Sequence, residues 1–263
     1  MLDRFDNLFS SISRVSANLR DAALTILYPS ACRVCGSLIE SWRDGAACAK
    51  CWQEIEQKRL GADFCAKCGL PMQPLPAHLK LDERRCGRCN DLAFSSARAC
   101  GPYEGALRES VLSLKLRPHL PSRLREMLRQ AFASLPENDR IESIIPVPLH
   151  PERLAERGFN QAGIIARELA SLTGLRVDSA SIIRVKKTER HRAGMGARAR
   201  ARSLEKAFSI RAPRLIEDRV LLIVDDVMTT GSTAQELAET LLDGGASTVN
   251  VLTLARAINE FVQ

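Results

Sequence analysis

Aromatic residues are scarce in this sequence, long apolar runs are missing, and its histidines form no pattern. Of 263 residues, only 2 are Trp, 2 Tyr and 8 Phe. Phe208 stands alone near the most basic stretch, so a base-stacking platform of the kind that holds single-stranded nucleic acid has no support there. No window approaches the roughly 18 uninterrupted apolar residues that cross a bilayer. Asp3, Arg4 and Asp6 stand where a secretory signal needs a basic start and an apolar run. A cytoplasmic protein without a membrane span is therefore expected. His78, His119, His150 and His191 share no metal-ligand spacing. The first two read as solvated loop residues, His150 as a cap near its turn, and His191 as a member of an anion site.

What is present describes an ordinary globular chain with two unusual regions. Hydrophobic residues make up 45% and charged residues 26%, which excludes wholesale disorder and collagen-like structure. The length suits one ordinary domain plus a small one. The net charge of +7 is local: ten Lys and Arg between Arg184 and Arg211, against Glu189 and Glu205, give that stretch +8 and leave the remainder near −1. Such a concentrated basic segment calls for an anionic partner.

Eight of nine cysteines fall into four C-x-x-C pairs: Cys32 and Cys35, Cys48 and Cys51, Cys65 and Cys68, Cys86 and Cys89. Reducing surroundings and the two-residue spacing favour metal knuckles over disulfides. Knuckles separated by 12 residues (Cys35 to Cys48) and 17 (Cys68 to Cys86) have the spacing of zinc ribbons, so two structural Zn²⁺ sites are expected. Both sequential and crossed pairing of the knuckles satisfy the count, and four thiolates also suit an iron–sulfur cluster. With every ligand a protein thiolate, such a metal supplies folding energy and no chemistry. Cys100, left over, reads as a small buried apolar residue.

Phe5, Leu8, Phe9, Ile12, Val15, Leu19, Ala23 and Ile26 recur at helical spacing, which predicts an amphipathic helix over 1–30 that packs on the neighbouring domain or on a second subunit in a homodimer. A double zinc ribbon over 31–98 and an α/β domain over 99–263 complete the expected organisation. Leu70 to Arg85, with three prolines, reads as the loop between knuckles.

From Tyr103 onward, strand-length apolar runs alternate with helical periodicity, the pattern of β-α-β units on a parallel sheet. Ile144 to Val147, Val220 to Val224 and Val249 to Leu254 are the expected strands. A helix begins at Pro151 and must break or restart near Gly158 to use its apolar positions, and another carries Ala234, Leu237, Ala238, Leu241 and Leu242.

Between the strand at 220 and that last helix lies Asp225-Asp226-Val227-Met228-Thr229-Thr230-Gly231-Ser232-Thr233. Ligands of open parallel sheets bind beyond the carboxyl ends of the strands, where these carboxylates emerge. Two carboxylates accept hydrogen bonds from a diol. Four hydroxyls, a glycine and the free N–H groups of a helix start cradle a phosphate dianion. A sugar phosphate satisfies both halves. Lys186, Lys187, Arg190 and Arg192, followed by Gly194 and Gly196, form a basic loop able to close over an anion, with Arg153, Arg157 and Lys115 as secondary candidates.

The acidic pair and the Thr-Thr-Gly-x-Thr turn resemble the signature of type I phosphoribosyltransferases. Pro146-Val147-Pro148-Leu149-His150-Pro151 with Arg153 and Arg157-Gly158-Phe159-Asn160-Gln161, Leu27-Tyr28-Pro29 before the first knuckle, Tyr103-x-Gly105, and Leu112-Ser113-Leu114-Lys115 are similar to the ComF family. The likeness runs from about Leu24 to Ala257, with departures at His191 and Ser203 in the basic loop. It implies a double zinc ribbon joined to a type I phosphoribosyltransferase-like parallel sheet flanked by helices. It implies binding of phosphoribosyl pyrophosphate with Mg²⁺, and a transferase of the pentosyl class if the site is active. Asp225 and Asp226 would hold the ribose hydroxyls, and Val227 to Thr233 the 5′-phosphate. Lys186, Arg190 and Arg192 would serve the pyrophosphate. The resemblance leaves a second reading open: a non-catalytic component of DNA uptake that binds single-stranded DNA or a protein partner.

Overall fold

The computed structural model describes residues 19, 21–60, 63–72, 84–87, 89–186 and 206–257. Helix α1 (Ala49–Leu60) begins within the second knuckle and carries Cys51; β1 (Asp63–Phe64) and β2 (Pro71–Met72) then pair antiparallel around the third. The remaining elements are β3 (Ser96–Pro102), α2 (Gly105–Leu114), α3 (Ser122–Ala133), β4 (Ser143–Pro146), α4 (Pro151–Arg157), α5 (Gln161–Thr173), β5 (Arg176–Val177), β6 (Ile182–Arg184), β7 (Phe208–Ile210), β8 (Val220–Met228), α6 (Ser232–Asp243) and β9 (Thr248–Arg256).

Five strands make a wholly parallel sheet in the order β3-β9-β8-β4-β5, as the alternating pattern predicts. The central strand β8 is apolar from Val220 to Val224 because both of its faces are covered: Leu222 and Val224 join one core, and Leu221 and Ile223 the other. Burying such side chains contributes about 1.5–3 kcal/mol each. Strand β8 nevertheless runs four residues past Val224. Parallel pairing of Asp225 with Thr253, Val227 with Ala255 and Met228 with Arg256 holds the acidic pair inside the ladder. Gly158, in the left-handed region at φ 78°, ends α4, and Asn160 caps α5 by accepting from the Ala162 N–H, so the expected break in the helix is present.

The two ribbons dock differently. In the first, Asp44 accepts from Arg123 Nε at 2.7 Å, its carbonyl accepts from Trp52 Nε1 at 2.9 Å, and Arg123 reaches Glu56 at 2.8 Å. The second lies along the outer edge of β3, where the Ala97 N–H donates to the Lys67 carbonyl at 2.6 Å and Arg98 Nη1 donates to Ala66 at 2.9 Å. Strand β3 spans the expected boundary between residues 98 and 99. Gly69 meets two demands there: its φ is +65°, and an added Cβ would lie 2.8 Å from the Ala97 carbonyl oxygen, which is backbone and cannot yield. Gly69→Ala is expected to destabilise the protein by about 2 kcal/mol or more, seen as a lowered midpoint in denaturant melts.

Only the end of the amphipathic stripe near the start falls within the described residues, and its apolar positions are exposed there. Residues 1–18 lie outside the described residues; over the helical stretch 21–27, Ile26 is 78% exposed, and Ala23 is also exposed. Contact is made instead by the polar side, where Asp21 accepts from Ser41 Oγ at 2.8 Å and Thr25 Oγ1 accepts from the Trp42 N–H at 3.2 Å. No helix among the described residues is long and apolar enough to cross a membrane.

Candidate functional site

The eight paired cysteines converge into two tetrads, Cys32, Cys35, Cys48 and Cys51, and Cys65, Cys68, Cys86 and Cys89, each with its sulfurs within 4.8 Å of one another. The pairing is sequential. Sulfurs of a tetrahedral zinc thiolate with bonds of about 2.3 Å stand about 3.8 Å apart. Here Cys32 to Cys51 measures 3.8 Å, Cys35 to Cys48 3.6 Å, Cys68 to Cys86 3.6 Å and Cys65 to Cys89 3.4 Å. Both tetrads fit structural zinc. Cys100 is fully buried in the core, and burial pushes its thiol up to about 12, which removes it as a nucleophile.

At the carboxyl ends of β4 and β8 the chain encloses a cavity of about 290 Å³. Asp225, Asp226, Val227, Thr229, Thr230, Ser232 and Thr233 line one side. Gly231, at φ +85°, turns the chain from β8 into α6 and occupies the N-cap position without a side chain to cap it, which leaves the helix start to an incoming anion. Thr230 and Ser232 hydroxyls lie 2.8 Å apart, and Thr230 Oγ1 accepts from the Ser232 N–H. Met228 is buried, and its Cε sits 2.9 Å from where a Gly231 Cβ would be, so this side chain supports the turn from beneath and does not face the cavity.

Cations complete the lining. Arg153 and Arg157 come from α4, Lys115 from the end of α2, and Arg184 from β6. Lys115 Nζ stands 4.0 Å from Asp226 Oδ2. Arg184 is 9% exposed and lies over the Phe208 ring at 5.6 Å; burial pulls its pKa down, Arg153 adds to the effect, and Asp225 opposes it. Asp225 carries the strongest perturbation: burial, then the neighbouring Asp226, push its carboxyl up to about 8, against the pull of the Asp226 N–H, Arg184 and Lys115. Arg157 Nη1 donates to Gln161 Oε1 at 2.6 Å, and Asn160 Nδ2 to the Val147 carbonyl at 2.9 Å, which fixes α5 against β4. His150 Nδ1 accepts from the Glu152 N–H, confirming it as a cap.

Lys186 is exposed and does not line this cavity, because the chain turns away after β6, with the Val185 N–H bonded to the Ala207 carbonyl. Arg190 and Arg192 lie outside the described residues, as do Lys187 and His191. Arg184, Asn160 and Gln161 belong to the cavity although their spacing gave no sign of it. The signals available were a lone basic residue ending a strand and the polar pair that opens α5.

A short bridge joins cavity and metal. Gln235, in the first turn of α6, accepts from the Ala93 N–H at 2.7 Å and donates to the Asp91 carbonyl at 3.4 Å, just beyond Cys89. Gln235→Ala should therefore leave two zinc ions bound while weakening anion binding at the cradle by about three- to tenfold, the worth of one hydrogen bond, as read by calorimetry.

The sequence matches the double zinc ribbon domain over residues 23–90 and the phosphoribosyl transferase domain over residues 154–260. The DNA utilization protein YhgH of Salmonella typhi is 34% identical over 223 residues, covering 80% of this chain and 90% of that protein. The chain belongs to the ComF family. More distant ComF relatives include competence protein F of Haemophilus influenzae, 28% identical over 218 residues (80% of this chain, 90% of that protein). Competence protein ComFC of Bacillus subtilis is 24% identical over 242 residues (86% and 95%). Among solved structures, the glutamine phosphoribosylpyrophosphate amidotransferase of B. subtilis superimposes with a TM-score of 0.36 and 18% identity, over 55% of this chain and 30% of that one. The two matched domains and the parallel sheet make this ComF architecture a double zinc ribbon set on a type I phosphoribosyltransferase-like parallel sheet.

Proposed function

We propose that this cytoplasmic protein binds phosphoribosyl pyrophosphate, with Mg²⁺, in the cavity at the ends of β4 and β8. The observation that carries this reading is one cavity lined by an acidic pair, a hydroxyl-rich turn into a helix start, and four cations. Asp225 and Asp226 receive the ribose hydroxyls. Thr229 to Thr233 receive the 5′-phosphate, with Val227 and Met228 shaping the turn. Arg153, Arg157, Arg184 and Lys115 face the pyrophosphate, and Arg190 and Arg192 of the basic stretch add positive charge for it.

The carboxylates of Asp225 and Asp226 suit a hard divalent cation, which when bound would offset charge on the departing pyrophosphate. Transfer breaks the bond between the anomeric carbon and pyrophosphate, building positive charge on the ribose and negative charge on the leaving group. The fixed guanidinium groups stabilise the second, and the carboxylates the first. A nucleophilic acceptor, still to be identified, takes the phosphoribosyl group.

The relatives' names, DNA utilization and competence, favour a second reading in which the site is kept for regulation and the protein serves DNA uptake by binding single-stranded DNA or a protein partner. Calorimetric titration of zinc-loaded protein separates the two. Binding of phosphoribosyl pyrophosphate with Mg²⁺ well above that of ribose 5-phosphate is expected. Binding of single-stranded DNA without donor binding would replace the first reading with the second, and its log affinity should then fall linearly with log salt.

A further inference from the structure

A cavity of about 770 Å³ lies away from the cradle, between the second ribbon and the outer edge of β3. It falls within the range of small-molecule sites. Five cations line it: Arg59, Lys67, Arg85, Arg98 and Arg256. Its lining carboxylate, Asp63, is held by Arg84 at 2.7 Å. Arg123, by contrast, is matched with Asp44 and Glu56, and Arg125 with Glu168.

None of the five has a carboxylate partner among the described residues. Arg59 Nη2 donates to the Gln130 amide oxygen, Lys67 to the Asn90 carbonyl, and Arg98 to the Ala66 and Ala97 carbonyls. Arg256 is 8% exposed, and its Nε and Nη1 find no hydrogen-bond partner. Arg256 is buried, Arg59 and Lys67 are half-buried and Arg85 is exposed, so the cavity gathers positive charge with no carboxylate set against it among the described residues.

The second cysteine tetrad accounts for part of this charge. A zinc tetrathiolate carries two net negative charges, and both Arg98 and Arg256 feel its thiolates. Arg59, Lys67 and Arg85 remain in surplus. Their combined charge suits a dianion, and the planar donor forks of Arg59 and Arg85 suit phosphate oxygens. Phe64, Pro71 and Pro136 add apolar wall for the body of the ligand.

We propose that this cavity is a second ligand site, distinct from the cradle, that takes an organic phosphomonoester of nucleoside monophosphate size. The phosphate meets Arg59 and Arg85, and the organic part lies along β3.

AMP is the probe, titrated by calorimetry into zinc-loaded full-length protein beside adenosine and inorganic phosphate. AMP should bind, adenosine should not, and inorganic phosphate should bind more weakly than AMP. Arg59→Glu combined with Arg85→Glu should weaken AMP at least about tenfold while two zinc ions stay bound by mass spectrometry. Ser232→Asp, which sets a carboxylate in the cradle, should leave AMP affinity unchanged while abolishing donor binding, so failure of this site and failure of the cradle assignment are told apart. Absence of AMP binding, equal affinity of AMP and adenosine, full affinity in the zinc-loaded double variant, or loss in Ser232→Asp would each overturn the proposal.

Discussion

Replacing Asp225 and Asp226 together by Asn should weaken phosphoribosyl pyrophosphate binding at least about a hundredfold and leave the protein folded, with a melting temperature no lower than that of the parent. Each carboxylate offers charged hydrogen bonds worth roughly 1.5–3 kcal/mol, and two such losses span about two to four powers of ten. Folding moves the other way because Asp225 is held up to about 8, well above its unfolded value near 3.9. Between those two pH values the native state holds a proton that the unfolded chain has lost. The contribution of Asp225 to stability is thus full below about pH 4 and declines as pH rises toward 8. The Asn variant, neutral throughout, removes that decline. Because Asp225 keeps partial access to water through the cavity, the gain at pH 8 is set at about 1–2 kcal/mol, below what the shift alone implies.

The same carboxyl makes donor binding pH-dependent. If the bound donor and its cation require the anion, binding below pH 8 expels a proton, so affinity rises by up to about tenfold per pH unit between pH 6 and 8 and then levels. Calorimetry in buffers of differing ionisation enthalpy reads that proton directly. A flat profile would show that Asp225 does not meet the ligand. Retained affinity in the double Asn variant would remove both residues from the site.

Loss of the second tetrad is the other large effect. Cys65→Ser with Cys89→Ser should reduce the metal content from two zinc ions to one and lower the melting temperature by about 10 °C or more. Structural zinc supplies on the order of 10 kcal/mol to such a module, and a fraction of that exceeds the margin of an ordinary domain. The damage should reach the cradle as well, since the segment after Cys89 is what Gln235 grips from the first turn of α6. Donor affinity is expected to fall at least as far as in Gln235→Ala. Full affinity in a chain that has lost the second zinc would show that the cradle stands without the ribbon.

Features set by a few neighbouring residues were legible in the sequence. Four C-x-x-C pairs at ribbon spacing read as metal knuckles because each sets two thiols on one tight turn, and both tetrads formed as spaced. The order of joining was not legible, since the count allows crossed and sequential pairing alike. Asp225 to Thr233 was readable because strand end, acidic pair and helix start are contiguous. Arg184 reaches the same cavity from β6, which pairs with β7 outside the five-stranded sheet, and Gln161 from the start of α5, so tertiary packing alone brings them there. The stripe running to Ile26 shows the converse: over 21–27 the chain is helical, its apolar positions are exposed and its contacts run through Asp21 and Thr25, so spacing alone does not name what such a stripe covers.

The covering of β3 by the second ribbon has a practical consequence. Strand β3 ends the sheet, and its outward N–H at Ala97 is taken by a carbonyl from between Cys65 and Cys68. A chain shortened to begin near residue 99 would lose Ser96, Ala97 and Arg98 and bare either the stump of β3 or the flank of β9. Naked edges of that kind recruit one another. The phosphoribosyltransferase half prepared alone should therefore precipitate or form soluble clusters, and the ribbon acts as a built-in safeguard against self-association as well as a metal site.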